Sequence, residues 1–167
     1  MKKVYEGRVF SVEVGEKRFP NGQTHEVEIV RHAPSVVLIP IDGEQRVVLV
    51  RQYRHSVRQH LWELPAGSVN PGERPDEAAA RECEEEIGRR PHRVGRVAAL
   101  YPTPGYCDEE MLFFTASDLR HPPPDSPYKP DDDEYFEVQA FTLTEARAMV
   151  SRGEIVDLKT AYGLTLV

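Results

Sequence analysis

The stretch from Gly67 to Gly88 reads GSVNPGERPDEAAARECEEEIG and joins a glycine-rich turn to a helix start and a dense group of carboxylates. Pro75 suits the first position of a helix, the acids after it suit the positive end of the helix dipole, and the alanines propagate the helix. Glycine readily takes the left-handed conformation that ends many helices. The stretch therefore predicts a turn and then a helix that begins near Pro75 and stops at Gly88.

Three carboxylates of this helix share one face, because Glu82, Glu85 and Glu86 are three or four residues apart. Like charges at this spacing cost a helix roughly 0.2–0.5 kcal/mol per pair. A divalent cation would turn the repulsion into coordination, and all-oxygen ligation suits Mg²⁺ or Mn²⁺ rather than zinc. The alternative is a solvated acidic face, the commonest origin of a charge run. Arg81, which can orient Glu85 by a charge-assisted hydrogen bond, favours the metal site.

The stretch resembles the Nudix box, Gly-x5-Glu-x7-Arg-Glu-U-x-Glu-Glu-x-Gly-U, where U is an aliphatic residue. The matching positions are Gly67, Glu73, Arg81, Glu82, Glu85, Glu86 and Gly88. Cys83 and Arg89 stand at the two U positions and depart from the pattern, but neither change removes a metal ligand. The resemblance implies a Mg²⁺ site, with Mn²⁺ able to substitute. Its implied ligands are Glu82, Glu85, Glu86 and the backbone carbonyl of Ala66.

Length and composition fit one globular enzyme domain. The chain has 167 residues, enough to bury a core, and a net charge of −7, which argues against a nucleic-acid surface. No apolar run approaches the roughly 20 residues that span a bilayer, and the N-terminus lacks the apolar core of a signal peptide. Cys83 and Cys107 show no metal-binding spacing. We expect a cytoplasmic protein with free thiols and no nucleic-acid or membrane partner.

Segments rich in β-branched residues alternate with turn signals along the chain. The predicted strands are Arg8–Val14, His25–Arg31, Ser35–Ile41, Arg46–Gln52, Val94–Tyr101, Met111–Ala116 and Tyr135–Thr142. Asn21-Gly22 predicts a hairpin between the first two strands, and Asp42-Gly43 predicts a second hairpin between the next two.

Two further helices are expected near the C-terminus. Thr142 or Thr144 can cap a helix that runs to about Arg152, and a short helix is expected within Asp157–Leu166. Helices interleaved with a mixed sheet predict an α/β fold, and the Nudix resemblance implies an α/β/α sandwich over residues 34–167. It also implies an N-terminal antiparallel sheet in residues 1–33.

A second motif narrows the resemblance to the ADP-ribose pyrophosphatase branch of the family. The segment TPGYCDE, from Thr103 to Glu109, is similar to a substrate loop of that branch. The resemblance implies that Pro104 and Gly105 shape this loop, while Asp108 and Glu109 accept hydrogen bonds from ribose hydroxyls. Without the box, the segment would read equally well as an ordinary hairpin turn.

Arg54 matches a position of the same branch that contacts the substrate diphosphate. A guanidinium suits this task because its planar fork can bind phosphate oxygens in bidentate fashion. Taken alone, Arg54 would be a surface strand residue. The resemblance also implies that residues 1–33 exchange between the subunits of a homodimer, where Glu28 faces the adenine.

An acidic run, Asp131-Asp132-Asp133-Glu134, follows a proline-rich loop. Such a run is most often a solvated loop. Metal-dependent attack on a diphosphate, however, needs a base for the attacking water, and the helix glutamates would be occupied as ligands. The branch resemblance makes Glu134 the first candidate for base or extra metal ligand and Asp132 the second. Glu85 completes the set of candidate catalytic residues.

These features predict a Mg²⁺-dependent Nudix hydrolase that cleaves ADP-ribose to AMP and ribose 5-phosphate. Two alternatives stay open. The substrate could be another nucleoside diphosphate sugar such as GDP-mannose, or the chain could bind ADP-ribose without turning it over. The loop at Pro104 favours ADP-ribose over other sugar nucleotides, and the complete ligand pattern favours an enzyme over a sensor.

Overall fold

The computed structural model of the chain describes residues 1–129 and 137–167. Its strands are β1 (Lys2–Glu6), β2 (Phe10–Arg18), β3 (Thr24–His32), β4 (Ser35–Pro40), β5 (Arg46–Arg54), β6 (Gln59–Glu63), β7 (Ala66–Ser68), β8 (Arg90–Leu100), β9 (Met111–Arg120) and β10 (Glu137–Thr142). Its helices are α1 (Pro75–Ile87), α2 (Leu143–Ser151) and α3 (Leu158–Gly163). None of the helices described here is long and apolar enough to cross a membrane.

The N-terminal residues form an antiparallel sheet of their own, in the order β1-β2-β3. The hairpin predicted at Asn21-Gly22 joins β2 to β3, and Gly22 has the positive φ of 86° that such a turn requires. This sheet meets the rest of the fold through a bridge between Val30 and Cys107. Several of its large apolar side chains, Val4, Tyr5, Val9 and Phe10, are exposed to solvent.

The other strands form two sheets, ordered β7-β4-β9-β8 and β10-β5-β6. The first is mixed because β4 and β9 are parallel, and the second is antiparallel. The hairpin predicted at Asp42-Gly43 is therefore wrong: β4 and β5 belong to different sheets and share only an isolated bridge between Ile41 and Val47. A tight turn does form at Asp42-Gly43. However, β4 is a central strand that pairs with β7 on one side and β9 on the other, and every one of its residues is buried.

Alternate residues of β4 face two hydrophobic cores, as the two-residue period of a strand requires. Val36 and Leu38 pack in the core that contains residues of α1, whereas Val37 and Ile39 pack in the core that contains residues of α2 and Leu164, the residue directly after α3. Helices therefore cover opposite sides of the sheets. This arrangement confirms the predicted α/β sandwich with a mixed sheet.

The helix ends follow the signals in the sequence. Helix α1 begins at Pro75 and is closed by Gly88, which has a φ of 62° and donates its backbone N–H to the carbonyl of Glu84 at 3.1 Å. Thr142, rather than Thr144, caps α2 by accepting the N–H of Glu145 at 3.1 Å. The last residue of β10 is therefore also the cap of α2.

The two cysteines have different environments. Cys83 is fully buried on α1, whereas Cys107 is half-buried in the loop before β9. Burial, together with the charges of Glu86 and Glu84, raises the pKa of the Cys83 thiol to about 12.

Because the thiolate is the reactive form, we expect iodoacetamide to modify Cys107 at least about tenfold faster than Cys83 in the native protein. Peptide mass spectrometry measures both rates. As a control, the two cysteines should react at equal rates with iodoacetamide in denaturant. Equal modification rates in the native protein as well would contradict the burial of Cys83.

Candidate active site

A cavity of about 540 Å³ lies between the sheets and α3. This volume is in the range of small-molecule sites. Its polar lining residues include His32, Ser35, Arg54, Glu109 and Lys159, and Ala66 also lines it. Its apolar and aromatic lining residues include Leu100, Tyr101, Met111, Phe113, Leu158 and Tyr162. The cavity therefore offers both charged groups and apolar surface to a ligand.

Arg81 is the centre of the acidic helix face. Its Nη1 donates to Glu82 at 2.6 Å and to Glu85 at 2.8 Å, which confirms the predicted contact between Arg81 and Glu85. Its Nε and Nη2 bind the two carboxylate oxygens of Glu73 at 2.8 and 3.0 Å. The hydrogen bond to Glu73 is the main cause that raises the pKa of Arg81, and the same bond lowers the pKa of Glu73. The guanidinium thus holds three carboxylates in place.

Strand β7 lies directly against this helix face. A Cβ atom added to Gly67 would lie 2.0–2.3 Å from the carboxylate atoms of Glu82, so only glycine leaves room for that side chain. The backbone N–H of Ala66 donates to Oε2 of Glu86 at 3.3 Å. The glutamates are largely buried, with 8% of Glu82 and 6% of Glu86 exposed. The turn that precedes the helix therefore places the backbone beside the two carboxylates.

The chemistry of this donor set fits a hard divalent cation. Carboxylates from Glu82, Glu85 and Glu86 and the nearby carbonyl of Ala66 are oxygen donors, and the absence of a side chain at Gly67 lets the Glu82 carboxylate lie against β7. Across residues 1–129 and 137–167, no three His, Cys, Asp or Glu side chains are grouped as a metal site in their present rotamers. Two of the glutamates bind Arg81 instead. The ligand set stays a prediction.

We expect Gly67→Ala to weaken metal binding with little loss of stability. The atoms that the new methyl group meets are the end of the flexible Glu82 side chain, which can rotate away. A displaced ligand should lower Mn²⁺ affinity and kcat/KM by about 10- to 100-fold, as other losses of orientation at metal sites do.

Calorimetric titration with Mn²⁺, thermal unfolding and turnover together test this expectation. Gly43→Ala is the matched control, because a Cβ at Gly43 meets nothing within 4 Å. Unchanged Mn²⁺ affinity in Gly67→Ala would show that the Glu82 carboxylate does not bind metal from this position.

Arg54 lines the cavity and is held by a buried carboxylate. Its Nε and Nη2 donate to the two oxygens of Glu63, each at 2.7 Å. Only 1% of Glu63 is exposed. Burial acts to raise the pKa of Glu63, but the bonds from Arg54 and the charge of Lys159 outweigh it, so the pKa lies below its ordinary value. Glu63 is therefore an anion that fixes the guanidinium.

The acidic residues of the predicted substrate loop have two different positions. Glu109 lies on the cavity wall and accepts the hydroxyl of Ser35 at 2.6 Å. Asp108 instead accepts from Nη1 of Arg31 at 2.9 Å and from the backbone N–H of His32 at 3.0 Å, so it ties the loop to β3. Pro104 and Gly105 are exposed and shape the turn.

The remaining predicted residues lie away from the cavity of a single chain or outside the described part of it. Glu28 is exposed on β3, opposite Val14 of β2. Glu134 and Asp132 lie outside the described residues.

Several cavity residues were not predicted from the sequence. His32 ends β3 and Tyr101 directly follows β8, whereas Asp157 caps α3 and Lys159 and Tyr162 lie within it. Tyr162 packs edge-to-face against Phe113, with ring centroids 5.4 Å apart. Asp157 indicated in the sequence that a helix could begin there. Nothing in the spacing of the sequence, however, indicated that this helix lies beside Arg54.

The chain is similar in sequence and in fold to several known proteins. The sequence pattern of the NUDIX domain matches residues 31–159. An ADP-ribose pyrophosphatase of Bacillus subtilis strain 168 is 32% identical over 98% of the chain and 87% of its own length. A methanol dehydrogenase activator of Bacillus methanolicus is 34% identical over the same shares. A crystal structure of an ADP compounds hydrolase has a TM-score of 0.80 and covers 99% of this chain and 88% of its own, at 24% identity, which supports the fold.

The fold and the acidic helix define an α/β sandwich with a Nudix box. The chain therefore belongs to the Nudix family, as the residues of the box predicted.

Proposed function

We propose that this Nudix enzyme hydrolyses the diphosphate of ADP-ribose to AMP and ribose 5-phosphate. One observation carries the proposal: Arg54 and the backbone of Ala66 and Gly67, which lies against Glu82 and Glu86, line the same cavity. A phosphate-binding cation and a set of metal-binding carboxylates are thus available to one substrate. The full-length similarity to a protein named ADP-ribose pyrophosphatase supports the choice of substrate.

Each residue has a distinct task in this proposal. Mg²⁺, with Mn²⁺ as a substitute, would be held by Glu82, Glu85, Glu86 and the carbonyl of Ala66, and it would neutralise diphosphate charge and acidify water. Arg54 orients the diphosphate by bidentate hydrogen bonds. Glu134 accepts the proton of the attacking water, with Asp132 as the second candidate. Glu109 accepts hydrogen bonds from a ribose hydroxyl at the cavity wall.

The proposal includes a homodimer that forms through residues 1–33, with residues 34–167 as the hydrolase domain. The exposed apolar side chains Val4, Tyr5, Val9 and Phe10 support it, because a partner subunit could bury them. In such a dimer Glu28 would be available to the adenine. The free thiols Cys83 and Cys107 support a cytoplasmic location.

Product analysis tests the reaction. Purified protein is incubated with ADP-ribose and Mg²⁺, Mn²⁺ or a chelator, and the products are separated by ion-exchange chromatography. We expect equimolar AMP and ribose 5-phosphate with either metal and neither product with chelator. Turnover that is unaffected by chelator would contradict the assignment of the helix glutamates to metal.

A further inference from the structure

We propose that Lys159 is a second diphosphate-binding residue of the cavity, and that the buried carboxylate of Glu63 positions both Lys159 and Arg54. This inference rests on the proposed function, since it concerns the site that would hold the diphosphate. It extends the cationic side of the cavity from one residue on β5 to a pair that joins β5 and α3.

The pair is defined by its shared anion. Both oxygens of Glu63 accept from Arg54 at 2.7 Å, and the ammonium of Lys159 also binds Oε2 of Glu63. Lys159 makes a second ion pair with Oδ2 of Asp157 at 3.1 Å. Both cations lie on the cavity wall. Two positive groups that would otherwise repel each other are therefore held side by side at the surface of one cavity.

Both cations retain donors after these contacts are counted. A guanidinium has five N–H donors, and the fork to Glu63 uses Nε and Nη2. An ammonium has three, and Glu63 and Asp157 accept two of them. The remaining donors suit a diphosphate, whose oxygens accept charge-assisted hydrogen bonds from Arg and Lys.

Lys159 is rigidly placed, as a binding residue should be. The carboxylate of Asp157 caps α3 by accepting the N–H of Thr160 at 2.9 Å and also accepts its hydroxyl at 2.6 Å. The same hydroxyl oxygen accepts the backbone N–H of Leu64 at 2.7 Å. The start of α3 is thus bound to the chain segment between β6 and β7. Only 9% of the Lys159 side chain is exposed, so little side-chain freedom is left to lose on binding.

An exclusively structural ion network is the competing explanation. Burial of two ion pairs is costly, and replacing them by apolar groups often leaves stability unchanged. A structural network would therefore affect unfolding but not substrate affinity. A binding role would affect KM more than kcat, because a phosphate contact of this kind exists in both the bound substrate and the transition state.

The test compares Lys159→Gln, Lys159→Arg and Arg152→Gln. Arg152 is a matched control because it also forms two ion pairs, to Glu145 at 2.7 Å and to Glu154 at 2.6 Å, but lies at the end of α2 and does not line the cavity. We expect Lys159→Gln to raise KM for ADP-ribose by about 10- to 100-fold, the range of one charge-assisted hydrogen bond, with kcat within about threefold. Lys159→Arg should recover most of the loss, and Arg152→Gln should match wild type.

Binding of inorganic pyrophosphate, measured by calorimetry in the presence of Mg²⁺, separates this inference from the proposed function. If the wild type binds pyrophosphate and Lys159→Gln binds it at least about tenfold more weakly, Lys159 contacts phosphate whichever sugar nucleotide is turned over. If Lys159→Gln has a lower melting temperature but unchanged KM and pyrophosphate affinity, the network is structural and the inference fails. Wild-type protein that binds pyrophosphate but does not cleave ADP-ribose would refute only the proposed function.

Discussion

Glu86→Gln and Glu85→Gln are each expected to reduce ADP-ribose turnover by about 10³-fold or more, the equivalent of several kcal/mol of transition-state stabilisation by a bound metal. Glutamine keeps the size of the side chain but removes the negative charge that a hard cation needs. The fold should survive, because a glutamine oxygen at position 86 can still accept the N–H of Ala66. Steady-state rates at saturating Mg²⁺, with melting temperatures, measure both effects.

Glu77→Gln is the control on the same helix. Glu77 lies in the first turn of α1, where 58% of its side chain is exposed, and takes no part in the acidic face. Its replacement should leave turnover near the wild-type rate. Wild-type rates in either Glu85→Gln or Glu86→Gln would remove that glutamate from the metal site.

The second large effect is expected for Glu134→Gln, which should lose about 10²–10⁴-fold in kcat if Glu134 is the general base. The prediction rests on the resemblance to the ADP-ribose pyrophosphatase branch, since Glu134 lies outside the described residues. Mn²⁺ affinity should stay unchanged, because a base does not hold the metal. A loss below tenfold would move the role to Asp132 or elsewhere, and a parallel loss of Mn²⁺ affinity would make Glu134 a ligand.

Glu137→Gln provides the matched control for that variant. Glu137 begins β10, close in sequence to Glu134, and forms an exposed salt bridge with Arg51 at 3.2 Å. Exposed pairs of this kind contribute little to stability. We therefore expect Glu137→Gln to retain wild-type kcat, which would attribute any loss in Glu134→Gln to that carboxylate and not to a general change in the charge of the segment.

The elements that the sequence predicted well are those with local signals. Pro75 and Gly88 mark the ends of α1, and their conformational preferences act within one turn of the helix. Asn21-Gly22 likewise fixes the β2–β3 hairpin without help from distant residues. The contact from Arg81 to Glu85 is also local, since helical geometry alone brings residues four apart together.

The Asp42-Gly43 hairpin was wrong because strand pairing is not decided by the turn alone. The carboxylate of Asp42 accepts N–H groups from Glu44 and Arg46, each at 2.9 Å, so the turn forms as expected. The fully buried β4 then pairs with β7 and β9, and β5 pairs with β6 and β10. Those partners come from later parts of the chain, and the turn residues carry no information about them.

The cationic pair of the cavity was missed for a similar reason. Lys159 and Glu63 are 96 residues apart in the sequence, and they meet only because α3 packs beside the segment after β6. Asp108 is a case in which the motif identified the loop but not the position of the side chain. The loop lies beside the cavity, but the side chain of Asp108 binds Arg31 and His32 and so fixes the loop instead of facing the cavity. A motif identifies a segment more reliably than it assigns each side chain in it.

The most direct test of the proposed function is a competition assay in one tube. Equal concentrations of ADP-ribose, GDP-mannose and ATP are incubated with the protein and Mg²⁺, and the initial rates of product formation give the ratios of kcat/KM. We expect AMP and ribose 5-phosphate to form fastest, and no product to form with chelator. Faster cleavage of GDP-mannose or ATP would contradict the choice of substrate, and tight ADP-ribose binding without any product would contradict catalysis itself.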